Sequence, residues 1–270
     1  MAALDNPQDK LLVSVIVNCF NGEKYLEECL SSILNQTYHN WEVIFWDNHS
    51  TDNSKKIFEK FCDKRFKYYL SPKHTFLYEA RDLAIKVSNG ELIAFCDVDD
   101  FWSKERLERQ IPLFRNESIG VVYSNQWILN DKNKKKKKLK NNVLPKGNLT
   151  TNIIRGSSVT ILTAVIRKSE YFNLKVGFNK DYQIIGDFDF FVRLSKKCLF
   201  DCVQQPLVFY RLHEDNFTKK NREIELKEFE DWLEDMKNIK FFFSKEELDL
   251  INENILYKKT MIFILKKQLL

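Results

Sequence analysis

Short apolar runs alternate along the chain with stretches whose apolar residues recur every three or four positions. Residues 11–17 (LLVSVIV) form a β-branched run without polar alternation, the pattern of a strand covered on both faces. Asn21-Gly22 breaks the chain, and Tyr25, Leu26, Cys29, Leu30, Ile33 and Leu34 then fall on one helical stripe. The alternation continues with a strand at 41–46 ending at Asp47, and a helix capped by Ser50 or Thr51 and running to about Phe61. A strand at 66–70 precedes a helix at 76–88, which Asn89-Gly90 closes. The strand at 91–96 runs directly into Asp97-Val98-Asp99-Asp100; Ser103 caps the next helix and Val121–Ile128 is a further strand.

Beyond residue 148 the pattern predicts a strand at 159–167, a helix at 187–197 and a strand at 206–212. The last fifty residues read as helical. One helix there buries Phe229, Trp232, Leu233 and Met236. The next starts at a Ser244/Glu247 capping box and carries a stripe of Leu248, Ile251, Ile255, Ile262 and Leu265.

Strands and helices alternating at this spacing describe a doubly wound α/β sheet, which binds ligands at the carboxyl ends of its strands. Three predicted strand ends carry polar clusters, at 18–21, 47–52 and 97–100. Topology alone predicts a cleft lined by those clusters.

Charge changes the picture at one place. Residues 131–140 (DKNKKKKKLK) hold seven Lys against one Asp, while the rest of the 270-residue chain is close to neutral. Five adjacent lysines at 134–138 predict a solvated, mobile surface loop; contact with anionic lipid headgroups or an anionic glycan is the functional alternative. A near-neutral remainder speaks against nucleic acid as a partner. The six cysteines form no CxxC pair, and most sit in apolar runs, which suits buried free thiols in a reducing compartment. The first ten residues lack the pattern of a secretory signal, and no apolar run is long enough to span a bilayer. These features predict a cytoplasmic protein; the alternative is peripheral attachment to the inner face of a membrane through the Lys run or the last helix. That helix, flanked by Lys258, Lys259, Lys266 and Lys267, otherwise packs on its own domain or on a second copy as a homodimer.

The acidic run Asp97-Val98-Asp99-Asp100 carries the strongest chemical signal. Its carboxylates repel one another unless a cation is supplied, and oxygen ligands in a loop favour Mg²⁺ or Mn²⁺ bridging to a diphosphate. The alternative is that Asp99 and Asp100 only favour the N-terminus of the helix after Ser103. Asp187 and Asp189 in GDFDFF could likewise be only helix-start residues, and Arg81 only a surface partner of Glu79 or Asp82. His39, His49 and His74 have no evident partner.

In register, these segments resemble glycosyltransferase family 2, whose members have the GT-A fold. The resemblance rests on SVIVNCFNGEKYLEECLSSILNQTYHNWEVIFWDNHSTDNS at 14–54, ARDLAIKVSNGELIAFCDVDDFW at 80–102, GDFDFFVRL at 186–194 and YRLHEDNFT at 210–218. It implies a mixed, doubly wound sheet flanked by helices, with a C-terminal helical extension. It divides the chain into a nucleotide-sugar-binding half at 1–130, the Lys-rich loop at 131–147, an acceptor-side half at 148–220 and the extension at 221–270. The implied activity is inverting transfer from a nucleotide-diphospho-sugar, UDP-sugar being the commonest donor, to a glycan or lipid-linked acceptor in surface polysaccharide synthesis. Asn18, Phe20 and Asp47 stand where the family holds base and ribose, Arg81 where an arginine approaches the diphosphate, and Asp97 where a carboxylate meets the ribose. Asp99, with Asp100 as a close alternative, stands at the metal, Asp187 at the catalytic base, and Arg211 with His213 where the family closes over metal and diphosphate. Departures are Asn18-Cys19 for Pro-Thr, Asn48-His49 in the second motif, and Gly186 where an acidic residue often precedes the base. That last change should lower any like-charge elevation of the Asp187 pKa. The rival readings are a nucleotidyltransferase, for which NCFNGEKY is a poor phosphate loop, and a non-catalytic transferase domain serving as a binding module.

Overall fold

The structure, a computed structural model, describes residues 11–139, 142–156, 159–214 and 216–268, and within them the side chains of all but 218, 219 and 265–268. The first ten residues, and the stripe and flank positions Leu265, Lys266 and Lys267, therefore lie outside the described set. The apolar runs form β1 (Val13–Cys19), β2 (Trp41–Asp47), β3 (Phe66–Leu70) and β4 (Leu92–Phe95), with α1 (Leu26–Leu34), α2 (Ser54–Phe58) and α3 (Leu77–Lys86) between them. The next elements are β5 (Phe101–Trp102), α4 (Arg106–Gln110), β6 (Ile119–Asn130) and β7 (Lys136–Lys138). Then come α5 (Thr150–Ile154), β8 (Val165–Arg167), α6 (Lys168–Asn173), α7 (Gly186–Ser195) and β9 (Leu199–Leu212). The chain closes with α8 (Phe217–Lys220), α9 (Arg222–Asn238) and α10 (Lys245–Gln268).

The strands form one mixed sheet in the order β3-β2-β1-β4-β8-β6-β9-β5, with β7 hydrogen-bonded to β6. β1 to β4 are parallel, β8 runs antiparallel to both β4 and β6, and β9 lies parallel to β6 along nearly its whole length. Strands from before and after the Lys-rich segment thus share one continuous sheet. β1, β2 and β4 are buried almost end to end, which is why they read as unbroken apolar runs. Register places Cys19 beside Asp47 and Ile16 beside Phe95, so the polar residues after these three strands emerge side by side.

Several expected elements differ. The helix expected from Ser50 or Thr51 to about Phe61 is only Ser54–Phe58, because the residues before it are tied across to the first loop. Asn21 Oδ1 accepts from the Thr51 amide, Glu23 Oε2 from the Asn53 amide, and Asp52 Oδ2 from the Glu23 amide. Ser103 caps no helix; its amide and carbonyl go to Leu207 and Gln36, and the helix starts at Arg106. The strand expected over 159–167 shrinks to Val165–Arg167. Thr160–Ala164 form a turn, and buried side chains claim its carbonyls: Gln110 Nε2 donates to Thr163 O and Arg106 Nη2 to Ala164 O.

The Lys run is not a featureless loop. Lys136–Lys138 pair antiparallel with Trp127–Leu129 as β7, and Lys136 Nζ lies 5.0 Å from the Trp127 ring centre. The Ser244/Glu247 capping box is present, with Ser244 N donating to Glu247 Oε2 at 2.7 Å and Glu247 N to Ser244 Oγ at 3.2 Å. Among the described residues no helix is long and apolar enough to cross a membrane.

Candidate active site

Arg81 organises the cleft. Its side chain in α3 is buried, and its guanidinium reaches the loop after β4 and the first turn of α7. Nη1 donates to Asp187 Oδ1 at 2.7 Å and Nη2 to Asp97 Oδ1 at 2.9 Å, while the rings of Tyr78 and Phe95 flank the cation. Arg81 is therefore no surface partner of Glu79 or Asp82. Its Nε is buried without a partner. Burial works against the guanidinium charge, but Asp97 and Asp187 more than offset it and push the pKa up.

Asp187 starts α7 but caps nothing; its carboxylate is 31% exposed towards the cleft. Burial pushes its pKa up to about 6, Arg81 pulls the other way, and Asp97 adds a further upward push. The like charge that Gly186 removes from the sequence is thus supplied in space by Asp97. Gly186 itself answers a packing need: a Cβ there would lie 2.6 Å from the Tyr78 ring.

The acidic loop is held from β9. Arg211 Nε donates to the carbonyl of Asp99 at 2.8 Å, and Arg211 N to Asp100 Oδ1 at 2.7 Å. The two Nη groups reach Asp131 and Glu28, and the guanidinium lies over the Tyr25 ring. Arg211, expected to contact the donor, is instead engaged on every side as a brace. Asp100, expected as an alternative metal ligand, is buried; its second oxygen has no partner, and burial with Asp99 and Asp97 nearby pushes its pKa well up. It ties the loop to β9 and does not face the cleft.

Asp99 and His213 do face each other, with Nε2 of the imidazole 2.9 Å from Asp99 Oδ2. Burial raises the Asp99 pKa, Asp97 adds to it, and His213 opposes both. Two donors on neighbouring corners of an octahedron of about 2.1 Å radius sit about 3 Å apart, so one carboxylate and one imidazole nitrogen suit a shared Mn²⁺ or Mg²⁺. Among the described residues no three His, Cys, Asp or Glu side chains are grouped to hold a metal alone. The pair therefore fits an ion whose remaining ligands come from substrate phosphate and water.

At the other end of the cleft Phe20 is 52% exposed, and its ring centre lies 4.4 Å from that of His74. His74 Nδ1 is 3.0 Å from the carbonyl of Asn48, whose side chain in turn bonds the backbone of Thr75 on both sides. Asn18 Nδ2 is buried without a partner at the β1 end. Asp47 accepts from Tyr68 Oη at 2.5 Å and from the Ser50 amide at 2.7 Å, so it fixes the turn that carries His49 at φ +68°. The sequence offers His74 no partner because the Phe20 contact joins two loops. An exposed aromatic pair of this kind suits a flat ring as ligand.

The family described as Glycosyl transferase family 2 matches residues 14–182. The chain belongs to that family. Over 123 residues it is 37% identical to the Escherichia coli protein WfgD, a UDP-Glc:α-D-GlcNAc-diphosphoundecaprenol β-1,3-glucosyltransferase, covering 46% of this chain and 49% of that protein. It is 30% identical over 122 residues to a Bacillus subtilis protein described as the teichuronic acid biosynthesis glycosyltransferase TuaG, covering 44% and 48%. The chain thus spans about half the length of these curated relatives. Among solved structures, S. aureus TarS 1–349 in complex with UDP-GlcNAc superposes with a TM-score of 0.68 at 20% identity, over 81% of this chain and 66% of that one. The mannosyltransferase PcManGT of Pyrobaculum calidifontis, in complex with GDP-Man and Mn²⁺, does so with 0.63 at 15%, over 92% and 68%. The fold is that of the GT-A glycosyltransferases.

Proposed function

We propose that this family 2 glycosyltransferase moves a sugar, with inversion, from a UDP-sugar to a hydroxyl of a lipid-linked glycan, using a divalent cation. The observation that carries this reading is the arrangement of Asp187 across Arg81 from Asp97, beside the Asp99–His213 pair. An acceptor hydroxyl is a weak nucleophile near neutral pH, so a carboxylate must take its proton as the bond to the anomeric carbon forms. Asp187, with a pKa of about 6, is ionised at neutral pH yet basic enough for that task. As the new C–O bond forms, the bond from the anomeric carbon to the diphosphate breaks, and its electrons leave with the nucleoside diphosphate. Arg81 holds the carboxylates on either side of that step, and its charge offsets theirs where the phosphates depart. Asp99 and His213 would hold a divalent cation, which when bound would supply further neutralisation of the same charge. One base and no covalent nucleophile give a single displacement, hence inversion.

The nucleotide choice is supported by relatives and neighbours described with UDP-sugars, and the Phe20–His74 pair offers a stacking face that would suit any base. The lipid-linked acceptor is supported by the description of WfgD. Such an acceptor lies at a membrane surface, and the β6–β7 hairpin offers exposed Lys135 and Lys137 beside the cleft, anchored through the Lys134–Asp131 and Asp131–Arg211 contacts. The test is turnover of UDP-sugars with Mn²⁺ by the wild type and by Asp187→Asn. Loss of turnover with UDP binding retained supports the reading. Absence of both binding and turnover in a folded wild-type sample overturns it in favour of a non-catalytic module.

A further inference from the structure

The first amides of a helix have no partners within it. The N-cap of α7, Ile185, has no side-chain hydrogen bond of its own. The segment leading into the helix is tied instead by the helical extension. Glu228 of α9, only 7% exposed, accepts from Gln183 N at 2.6 Å through Oε1, and from Ile184 N at 2.9 Å and Ile185 N at 3.1 Å through Oε2. One buried carboxylate therefore gathers three successive amides, ending two residues before Asp187.

The same helix also grips the first turn of α7. Trp232 Nε1 donates to Asp189 Oδ1 at 3.0 Å, and Phe188 packs between the rings of Phe229 and Trp232. Asp189 is also forked by Arg193, one turn on. On the opposite side Tyr78 donates to the carbonyl of Ile184 at 2.8 Å and fills the space beside Gly186. Residues 183–185, 188 and 189 are thus bound to α9, while Asp187 points to Arg81. Glu228 makes no contact with Arg81, Asp97 or Asp99.

We infer that Glu228 is a positioning residue for the base: it fixes the turn from which Asp187 projects, making α9 a working part of the transferase and not an appendage. The inference rests on the reading of Asp187 as the base. Without the carboxylate, the amides of Gln183, Ile184 and Ile185 just before α7 lose their acceptor, and the Asp187 carboxylate two residues on is free to turn towards them. The base would then swing towards its own helix and away from the acceptor, and the freed amides would favour its ionised form. Misplacement of about 1 Å at a reacting group is enough for a hundredfold loss of rate. The charged and titratable groups facing Asp187 are Arg81 and Tyr78 from α3 and Asp97 from the loop after β4; Asp189 and Arg193 on its own helix pair with each other.

The test is Glu228→Gln, which keeps the shape and removes the second acceptor. The expected result is kcat lower by about ten- to a hundredfold, with donor KM and calorimetric UDP affinity within about twofold, and the acid limb of the pH profile displaced to lower pH. Amide exchange of residues 183–187 should quicken at least tenfold, while β1 and β4 keep their protection. Unchanged kcat and acid limb in the folded variant would overturn the inference. So would exchange that quickens throughout the chain with donor KM rising in step, the mark of general support only. Asp187→Asn, run alongside, separates the two failures. If that variant keeps turnover, the base assignment falls and this inference with it; if it is silent while Glu228→Gln matches wild type, this inference alone falls.

Discussion

The guanidinium of Arg81 lies 2.7 Å from the carboxylate of Asp187 and holds it against the upward pull of burial and of Asp97. As the proposed base, Asp187 would act in its ionised form, so kcat/KM should fall as pH drops through about 6. Replacing Arg81 by Met removes the positive charge that opposes that pull, so the Asp187 pKa rises and the acid limb moves to higher pH. Turnover should fall at least a hundredfold, and Arg81→Lys should move the limb less than Arg81→Met. A pH profile of kcat/KM for the three proteins checks this; an acid limb that stays in place in Arg81→Met would contradict it.

Asp99 and His213 offer one carboxylate oxygen and one imidazole nitrogen 2.9 Å apart. Calorimetric UDP binding should be strengthened by Mn²⁺ in the wild type, and that gain should vanish with Asp99→Ala or with chelator. His213→Ala should weaken the metal-dependent part by about ten- to a hundredfold. Asp100→Asn, by contrast, should lower stability more than metal affinity, because Asp100 meets the Arg211 amide and not the cleft. Equal loss of metal dependence in Asp99→Ala and Asp100→Asn would reverse that division of labour.

Burial decides how much of the fold was legible in the sequence. β1, β2 and β4 lie within two residues of their expected bounds, because strands inside a sheet covered on both faces are largely apolar. The acidic loop stood out because carboxylates so close together cost energy unless positive charge or donors meet them, and Arg81, His213 and the Arg211 amide do so here. Long-range side-chain bonds were not legible. VTILTAV has the composition of a strand, yet Gln110 and Arg106 take the carbonyls that a ladder would need. Five lysines look incompatible with pairing, yet Lys136 lays its chain against Trp127 and Phe209. Arg211 resembled a donor contact because nothing local reveals Glu28 and Asp131 as its partners, and Glu228 carried no signal because the amides it binds are more than forty residues away.

Phe20 is the exposed half of the pair with His74 at 4.4 Å. Base–aromatic stacking is worth about 1–3 kcal/mol, so Phe20→Ala should weaken UDP binding by roughly tenfold or more. Phe20→Tyr should keep most of the affinity. His74→Ala should cost less, since it removes the support of the ring and not the ring itself. Titration calorimetry with UDP decides the order, and an unaffected Phe20→Ala would place the base elsewhere.

The hairpin carries its charge on one ordered ribbon, with Lys135 and Lys137 exposed beside Lys136. Each lysine near an anionic bilayer contributes about 1 kcal/mol. Wild-type protein should therefore sediment with vesicles containing phosphatidylglycerol and not with phosphatidylcholine alone, and added salt should release it. A Lys135→Glu, Lys137→Glu double variant should lose that binding while keeping its UDP affinity. Retention of vesicle binding by the double variant would move the membrane contact off the hairpin.

Glu42 gives a stability prediction away from the cleft. Its carboxylate, buried in β2, accepts from Ser14 Oγ, from the Asn89 amide and from Lys67 Nζ, each at 2.6 Å. Burial alone would raise its pKa, but Lys67, Ser14 and Asn89 together bring it down to about 2. A carboxylate depressed in the folded state contributes stability above its unfolded value, near 4.5, and loses that contribution as pH falls towards about 2. Glu42→Gln keeps the size but cannot accept from three donors on both atoms, so it should cost on the order of 2–3 kcal/mol at pH 7. Urea unfolding at pH 7 and at pH 4 checks both the size and the sign: the gap between wild type and variant should narrow at the lower pH. A gap that widens on acidification would mean that the Lys67–Glu42 pair does not hold the carboxylate ionised in the fold.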